Sequence, residues 1–319
     1  MQRDFGLVGH QGKGLTESQH VSVLPDEIVH WIETIKPAVI VDGTYGGGGH
    51  TRLLRNVLID DASARLIAID RDPAVVTRDE NATWIAGDGR IDLFVGSYEK
   101  APEALARCGL SRADAFVLDL GLSSDQLADR NRGFSFGIAD AELDLRFDPE
   151  NGIAAHDWLH RNSEKQIADA IYQFGEERFS RRIAKQVVTL ARDGQPVKTV
   201  GDLVQICQRC VPRGRNHDIH PATRTFQALR IVVNDELNIL SRTLRDAAEW
   251  IEPGGRIAVI SFHSLEDRLV KTAFRDDPRW DVLTKKPIRP TDSEVQRNPR
   301  SRSAKLRVAE RRQDDSTID

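Results

Sequence analysis

The chain has 319 residues, 39% of them hydrophobic and 29% charged, the make-up of an ordinary globular protein, which excludes wholesale disorder. No run approaches the ~20 apolar residues that span a bilayer, the first residues lack the basic-then-apolar pattern of a secretory signal, and three cysteines (Cys108, Cys207, Cys210) cannot build a disulfide framework; the expectation is a cytoplasmic protein with no membrane partner. Lys plus Arg at 45 against Asp plus Glu at 49 give a net charge of −4, so any nucleic-acid contact has to come from local basic patches.

Residues 1–18 match no pattern and read as a flexible extension. From Val39 to Phe147 short β-rich runs alternate with helical stretches: Val39-Ile40-Val41, Leu66-Ile67-Ala68-Ile69, Leu93-Phe94-Val95 and Ala115-Phe116-Val117-Leu118. That alternation predicts a parallel α/β sheet. Asp42, Asp70 and Asp119 fall where a strand hands over to a loop, the carboxyl edge at which open α/β sheets bind ligands. Beyond about Ser124 the texture changes: Ala168 to Ala191 has no strand run, and Phe179, Ile183, Val187 and Leu190 recur at helical spacing. A helical insert over residues 128–218 is therefore expected to divide the sheet-forming core into residues 19–127 and 219–319. Strand character returns at Arg256 to Phe262 after the turn Pro253-Gly254-Gly255. Lys305-Leu306-Arg307-Val308 reads as an added edge strand.

The segment Asp42-Gly43-Thr44-Tyr45-Gly46-Gly47-Gly48-Gly49-His50 follows a strand and opens a helix, a place where backbone passes close to a ligand and side chains would intrude. Its spacing fits neither the dinucleotide fingerprint nor the phosphate loop ending in Gly-Lys-Ser/Thr. Asp70 ends the next strand, where an acid accepts hydrogen bonds from ribose hydroxyls. An acid before the glycines without a pyrophosphate fingerprint favours S-adenosylmethionine over NAD.

Four more segments are distinctive: Leu118-Asp119-Leu120-Gly121-Leu122-Ser123-Ser124-Asp125-Gln126-Leu127, Arg132-Gly133-Phe134-Ser135-Phe136, His220-Pro221-Ala222-Thr223-Arg224-Thr225-Phe226-Gln227-Ala228-Leu229-Arg230-Ile231, and Ser261-Phe262-His263-Ser264-Leu265-Glu266-Asp267-Arg268. With the glycine loop and His20 to Leu24, and in this order from about His20 to Arg312, the chain resembles the bacterial ribosomal RNA small subunit methyltransferase H (MraW) family. The resemblance implies a class I S-adenosylmethionine-dependent methyltransferase, a Rossmann-like, mostly parallel α/β sheet with an inserted all-helical domain. It further implies methylation of the exocyclic N4 of a cytidine, conventionally numbered 1402, in the decoding region of 16S rRNA within the small ribosomal subunit. Cofactor contacts are implied for Gly48, Gly49, His50, Asp70, Tyr98, Asp119 and Gln126. Two positions depart from the family pattern: Tyr98 stands where the family has Phe, and Glu142-Leu143-Asp144-Leu145-Arg146-Phe147 replaces Pro-Leu-Asp-Met-Arg-Met.

A cytosine amine is a weak nucleophile, because its lone pair is delocalised into the ring, so the enzyme has to orient it and accept a hydrogen bond from it. Asp119, with Ser123 and Ser124 in the loop after it, is the candidate for that work, although the Asp/Asn-Pro-Pro-aromatic sequence of amino-methyltransferases is absent. His263 is a second candidate, as an acid–base group or as a hydrogen-bonded structural histidine. Glu266, Asp267 and Arg268 read either as part of the site or as an ion-paired helix start. The general base stays unassigned.

For RNA contact the candidates are Arg224 and Arg230, with Phe226 and Leu229 turned to the core, and Arg178, Arg182 and Lys185 on the helix face opposite Phe179, Ile183 and Val187. Arg300 and Arg302 lie in the tail from Lys285 to Arg312, where ten Lys and Arg stand against Asp292, Glu294 and Glu310. Cys207 and Cys210 with His217 and His220 have the residue types of a zinc site but a gap too short for a finger, and no metal is expected. A homodimer is left open by the sequence. The rival readings are a non-catalytic ribosome-assembly factor, a DNA amino-methyltransferase and an NAD-dependent oxidoreductase.

Overall fold

A computed structural model describes residues 22–76, 84–85, 87–212 and 220–313. The proposed extension at residues 1–18, and His20 and His217, lie outside the described residues. The elements in chain order are α1 (Pro25–Glu33), β1 (Val39–Asp42), α2 (Gly49–Val57), β2 (Arg65–Asp70), β3 (Ile91–Val95), α3 (Ala101–Arg107), β4 (Ala113–Asp119) and α4 (Ser124–Ala128). Then follow α5 (Ala155–Arg161), α6 (Glu164–Gly175), α7 (Ser180–Arg192), α8 (Val200–Cys210), α9 (Thr223–Asn234), α10 (Glu236–Trp250), β5 (Ile251–Ser261), α11 (Ser264–Asp276), β6 (Trp280–Val282), α12 (Asp292–Arg297) and β7 (Lys305–Arg311).

The strands form one sheet in the order β3-β2-β1-β4-β5-β7-β6, with β1 to β5 parallel and β7 antiparallel to both of its neighbours. Successive side chains alternate faces. Phe116 and Leu118 enter a core with Ile67, Ile69, Leu244 and Val259 on one side, while Ala115 and Val117 join Ile28, Ile40, Leu54 and Leu66 on the other. Burial on both faces is why these strands read as continuous apolar runs. The face carrying Phe116 is sealed by Trp250, whose ring meets that of Phe116 edge-on at 4.7 Å.

The predicted strands are all present, with two corrections of placement. The segment at Lys305 to Val308 is not an edge strand: β7 lies between β5 and β6, and the short β6 forms that edge. Its Leu306 and Val308 are fully buried, which an edge strand packed on one face alone does not require. The Pro253-Gly254-Gly255 turn lies inside β5 instead of preceding it. The register jumps from Ala113 opposite Ile251 to Ala115 opposite Arg256, so the turn is looped out of the ladder.

The insert is helical, with the Glu142–Thr199 bridge as its only β pairing among the described residues. α6 and α8 start in capping boxes, Ser163 with Gln166 and Thr199 with Asp202. The apolar core of the insert joins Leu143, Leu159, Ile171, Ile183, Val187, Leu203 and Cys207 to Ala222, Phe226, Ala228 and Leu229. The expected boundary at residue 219 therefore falls too early, since α9 packs with the insert. The core resumes with Leu240 and Leu244 of α10, after the left-handed turn at Asp235 (φ 53°).

Candidate active site

The carboxyl ends of β1, β2 and β4 open into a cleft, the edge at which open α/β sheets bind ligands. Its lining falls into four groups: Gly43, Thr44 and Gly46 after β1; Asp70 and Arg71 after β2, with Tyr98; Asp119 to Ser123 and Gln126 after β4; and Phe147, Glu236, Leu240 and Glu266 across from them.

Hydrogen bonds between the strand ends hold the near wall. Asp70 Oδ2 accepts from the Gly46 N–H at 2.6 Å, and its Oδ1 accepts from the Asp72 N–H at 2.8 Å. The Asp119 N–H donates to Thr44 Oγ1 at 2.7 Å, tying β4 to the glycine loop. Gly43 has no room for a side chain, because a Cβ there would sit 2.6 Å from Leu118 Cδ2 and 2.9 Å from Tyr98 Cβ. At Gly46 the backbone is left-handed (φ 53°), which favours glycine where the loop turns past the cleft.

The β4 loop is shaped by a capping box at the start of α4. Ser123 Oγ accepts from the Gln126 N–H at 3.1 Å, and Gln126 Oε1 accepts from the Ser123 N–H at 3.0 Å. Both residues line the cleft, with these side-chain groups engaged in the cap. Ser124 is turned to the tail, where its Oγ accepts from Arg300 Nη1 at 2.9 Å.

Of the expected cofactor contacts, Asp70, Tyr98, Asp119 and Gln126 meet at the cleft, whereas Gly48, Gly49 and His50 are not among its lining residues. The physical reason is local. Gly48, left-handed at φ 74°, starts α2, so the chain turns inward before His50, which is buried with Nε2 2.9 Å from the Val23 carbonyl and Nδ1 3.5 Å from Asp119 Oδ2. The earlier half of the loop forms the wall.

His263, the second catalytic candidate, is not among the lining residues either. It caps α11: Nδ1 accepts from the Glu266 N–H at 3.4 Å, and Nε2 stands 3.0 Å from Glu266 Oε1. Glu266 is buried, which pushes its carboxyl up, but His263, Arg230 and the Phe262 N–H outweigh burial and hold it below the ordinary glutamate value.

Arg230 is turned to the acids of the cleft wall. Expected at RNA phosphate, its guanidinium instead grips Glu236 through Nε at 2.8 Å and Nη2 at 2.7 Å, with Glu266 at 3.8 Å, and its side chain is 14% exposed. Burial, followed by Glu236 and Glu266, pushes the Tyr98 hydroxyl above its ordinary value, so it stays protonated.

Arg71, Phe147, Glu236 and Leu240 line the cleft as well, although no site motif marks them in the sequence. Glu236 follows a helix end without any pattern of its own. Phe147 is placed by Arg132, which reaches Asp72 at 2.5 Å and donates Nη2 to the carbonyls of Arg146 and Phe147, and by Asn234, which accepts the Phe147 N–H at 2.8 Å. The Arg132 to Phe136 motif was the available signal.

Arg178, Arg182, Lys185, Arg224, Arg300 and Arg302 are exposed. The basic tail is less free than its composition suggests, since Lys305 and Arg307 pair with Asp267 at 2.9 and 2.7 Å and Arg312 pairs with Asp281 at 2.8 Å. Cys207 is a core thiol, and burial pushes it up to about 12. The group among the described residues whose ligand atoms converge is His156, Asp157 and His160, which includes neither cysteine.

The cleft suits S-adenosylmethionine. Asp70 and Asp119 give its near wall an acidic lining that complements a sulfonium and an ammonium, and Tyr98 adds an aromatic ring.

Comparison with known proteins agrees. The chain is 70% identical over 304 residues to the ribosomal RNA small subunit methyltransferase H of Rhodopirellula baltica, covering 94% of each chain. To that of Granulibacter bethesdensis it is 42% identical over 325 residues, covering 95% of this chain and 94% of the relative. Among solved structures, an rRNA methylase from Streptococcus thermophilus is a distant likeness: TM-score 0.42, 10% identity, 91% of this chain and 94% of the other. The MraW methylase family profile matches residues 17–312, and on that match and those identities the chain belongs to the MraW methylase family of S-adenosylmethionine-dependent methyltransferases.

Proposed function

We propose that the chain transfers the methyl group of S-adenosylmethionine to the exocyclic N4 of a cytidine in the decoding region of 16S rRNA, acting in the cytoplasm on the small ribosomal subunit. The observation that carries this reading is the convergence, on one cleft, of Asp70 and Tyr98 with Asp119 and the loop to Ser123, in a chain 94% of which aligns with a relative of 70% identity. Asp119, 13% exposed, presents a carboxylate that can accept an amine hydrogen, and its Oδ1 is steadied by the Gly121 N–H at 3.3 Å. Holding the amine in line contributes several kcal/mol, ~7–11 at the limit. The exposed Arg178, Arg182, Lys185 and Arg224 of the insert, with Arg300 and Arg302 of the tail, supply phosphate contacts. The target base has to be unstacked or already exposed in the substrate.

The experiment is incubation with methyl-labelled S-adenosylmethionine and, separately, unmodified small subunits, naked 16S rRNA and duplex DNA, followed by digestion to nucleosides. Labelled N4-methylcytidine from the ribosomal substrate, lost in Asp119→Ala, is expected. Label in DNA alone, or none in any RNA despite cofactor binding, overturns the reading. Sedimentation of the same preparation reads whether one chain or two act together.

A further inference from the structure

A buried imidazole stands behind the carboxylate that faces the cleft. His50 is 4% exposed, and its Nε2 lies 2.9 Å from the Val23 carbonyl. A carbonyl only accepts, so Nε2 carries the hydrogen and Nδ1 of the neutral ring carries a lone pair. That Nδ1 is 3.5 Å from Asp119 Oδ2. Two acceptors face to face repel each other unless a proton lies between them, so the pair is a place where one proton is welcome.

The charged groups set against His50 among the described residues are Asp119 from β4 and Asp42 from β1. Asp42 is 1% exposed; its Oδ2 accepts from the Thr51 hydroxyl at 2.5 Å and its Oδ1 from the Thr44 N–H at 3.1 Å. Burial raises the Asp42 carboxyl, against the pull of Thr51 and His50. Asp42 is not a lining residue, whereas Asp119 lines the cleft and has the imidazole at its back.

We infer that Asp119 and His50 together are the proton acceptor of the methyl transfer, with Asp119 the catalytic residue at the amine and His50 the positioning residue that lets the carboxylate keep the proton it takes. This rests on the N4 reading proposed above. In the step, the amine nitrogen pair forms the bond to the methyl carbon, the carbon–sulfur bond breaks, and its electron pair returns to sulfur. The nitrogen is left with a positive charge and one hydrogen too many. Its N–H electrons return to nitrogen as the proton passes to Asp119 Oδ2, where Nδ1 of His50 shares it, and the proton leaves to water with product. A carboxylate alone holds a proton weakly; an imidazole lone pair beside it gives that proton a second acceptor.

The test uses His50→Gln, whose side-chain amide nitrogen can keep the Val23 hydrogen bond while placing no lone pair at Nδ1. Wild type, His50→Gln, Asp119→Asn and the double variant are compared for S-adenosylmethionine affinity by calorimetry and for single-turnover N4 methylation from about pH 5.5 to 9. The imidazole nitrogen NMR spectrum of wild type and Asp119→Asn is recorded on the protein alone, a readout that needs neither activity nor the folding of His50→Gln. Expected are wild-type affinity in His50→Gln, a rate lower by roughly 100-fold at neutral pH with the acid limb of the profile displaced, and a double variant no slower than Asp119→Asn. In the spectrum, Nε2 of His50 is protonated and its Nδ1 resonance moves in Asp119→Asn. A wild-type rate and pH profile in His50→Gln overturns the inference, as does a rate loss that follows lost affinity, or an Nδ1 resonance indifferent to Asp119→Asn. Should wild type make no N4-methylcytidine, the proposed function fails, while the resonance still decides whether the pair exists.

Discussion

Arg230 holds both carboxylate oxygens of Glu236, through Nε at 2.8 Å and Nη2 at 2.7 Å, and stands 3.8 Å from Glu266. Two acids of the cleft wall thereby face one guanidinium supplied by α9. Removing it leaves Glu236 without its partner in a buried setting, at a cost of about 3–5 kcal/mol. Arg230→Gln is therefore expected to lower the urea midpoint sharply while leaving the salt dependence of rRNA binding unchanged, whereas Arg182→Gln, on the exposed insert face, leaves stability alone and reduces the salt slope by about 1. Urea titration and filter binding across salt check both. A reduced salt slope in Arg230→Gln would return this residue to the RNA surface.

Tyr98 offers the cleft a ring, and its hydroxyl stays protonated beside Glu236 and Glu266. Tyr98→Phe is expected to bind S-adenosylmethionine nearly as wild type does. Tyr98→Ala and Asp70→Ala each weaken binding by about tenfold or more, equivalent to ~1.4 kcal/mol, the latter also releasing the Gly46 N–H. Calorimetry decides; equal affinity in Tyr98→Ala would show that the ring has no part.

Asp267 joins α11 to the sheet through Lys305 and Arg307. Burial pushes its carboxyl up, but the hydrogen bonds and charges of Arg307 and Lys305 outweigh burial, so the folded value lies below the ordinary 3.8. A depressed acid stabilises the fold fully above its unfolded value and loses that contribution as pH falls through the folded one. Asp267→Asn should then cost about 1–3 kcal/mol at neutral pH, with the gap to wild type closing as pH falls below 3.8. Denaturant midpoints at neutral and acid pH test this, and a pH-independent gap refutes it.

At Gly175 the end of α6 touches α9 directly. A Cβ there would lie 2.3 Å from the Arg224 carbonyl oxygen and 3.3 Å from Ala228 Cβ, and backbone cannot give way as a flexible side chain can. Gly175→Ala should destabilise by about 1–3 kcal/mol. Gly89→Ala, with nothing within 4 Å, should change stability by less than ~0.5 kcal/mol. Thermal melts of the two variants give the comparison, and equal melting temperatures would mean that the helices separate without cost.

Short continuous apolar runs ending in Asp42, Asp70 and Asp119, a glycine loop and period-3.6 faces such as Ile183 and Val187 were enough to read a parallel sheet, its ligand-binding edge and a helical insert from the chain itself, because these patterns record how much of an element is buried and on which side. Which elements become neighbours is decided elsewhere. β7 enters between β5 and β6, and Arg300 reaches Ser124 across 176 positions. Arg230, spaced on its helix like a surface cation, turns inward because the left-handed residue Asp235 folds α10 back and brings Glu236 to it. Likewise, four consecutive glycines mark a close approach without saying which of them makes it; Gly46 lines the cleft and Gly48 does not, since helix α2 starts between the loop and His50. Sequence periodicity encodes burial, which is local, while charge pairing and cleft lining depend on residues distant in the chain that only the packed elements bring within a few ångströms.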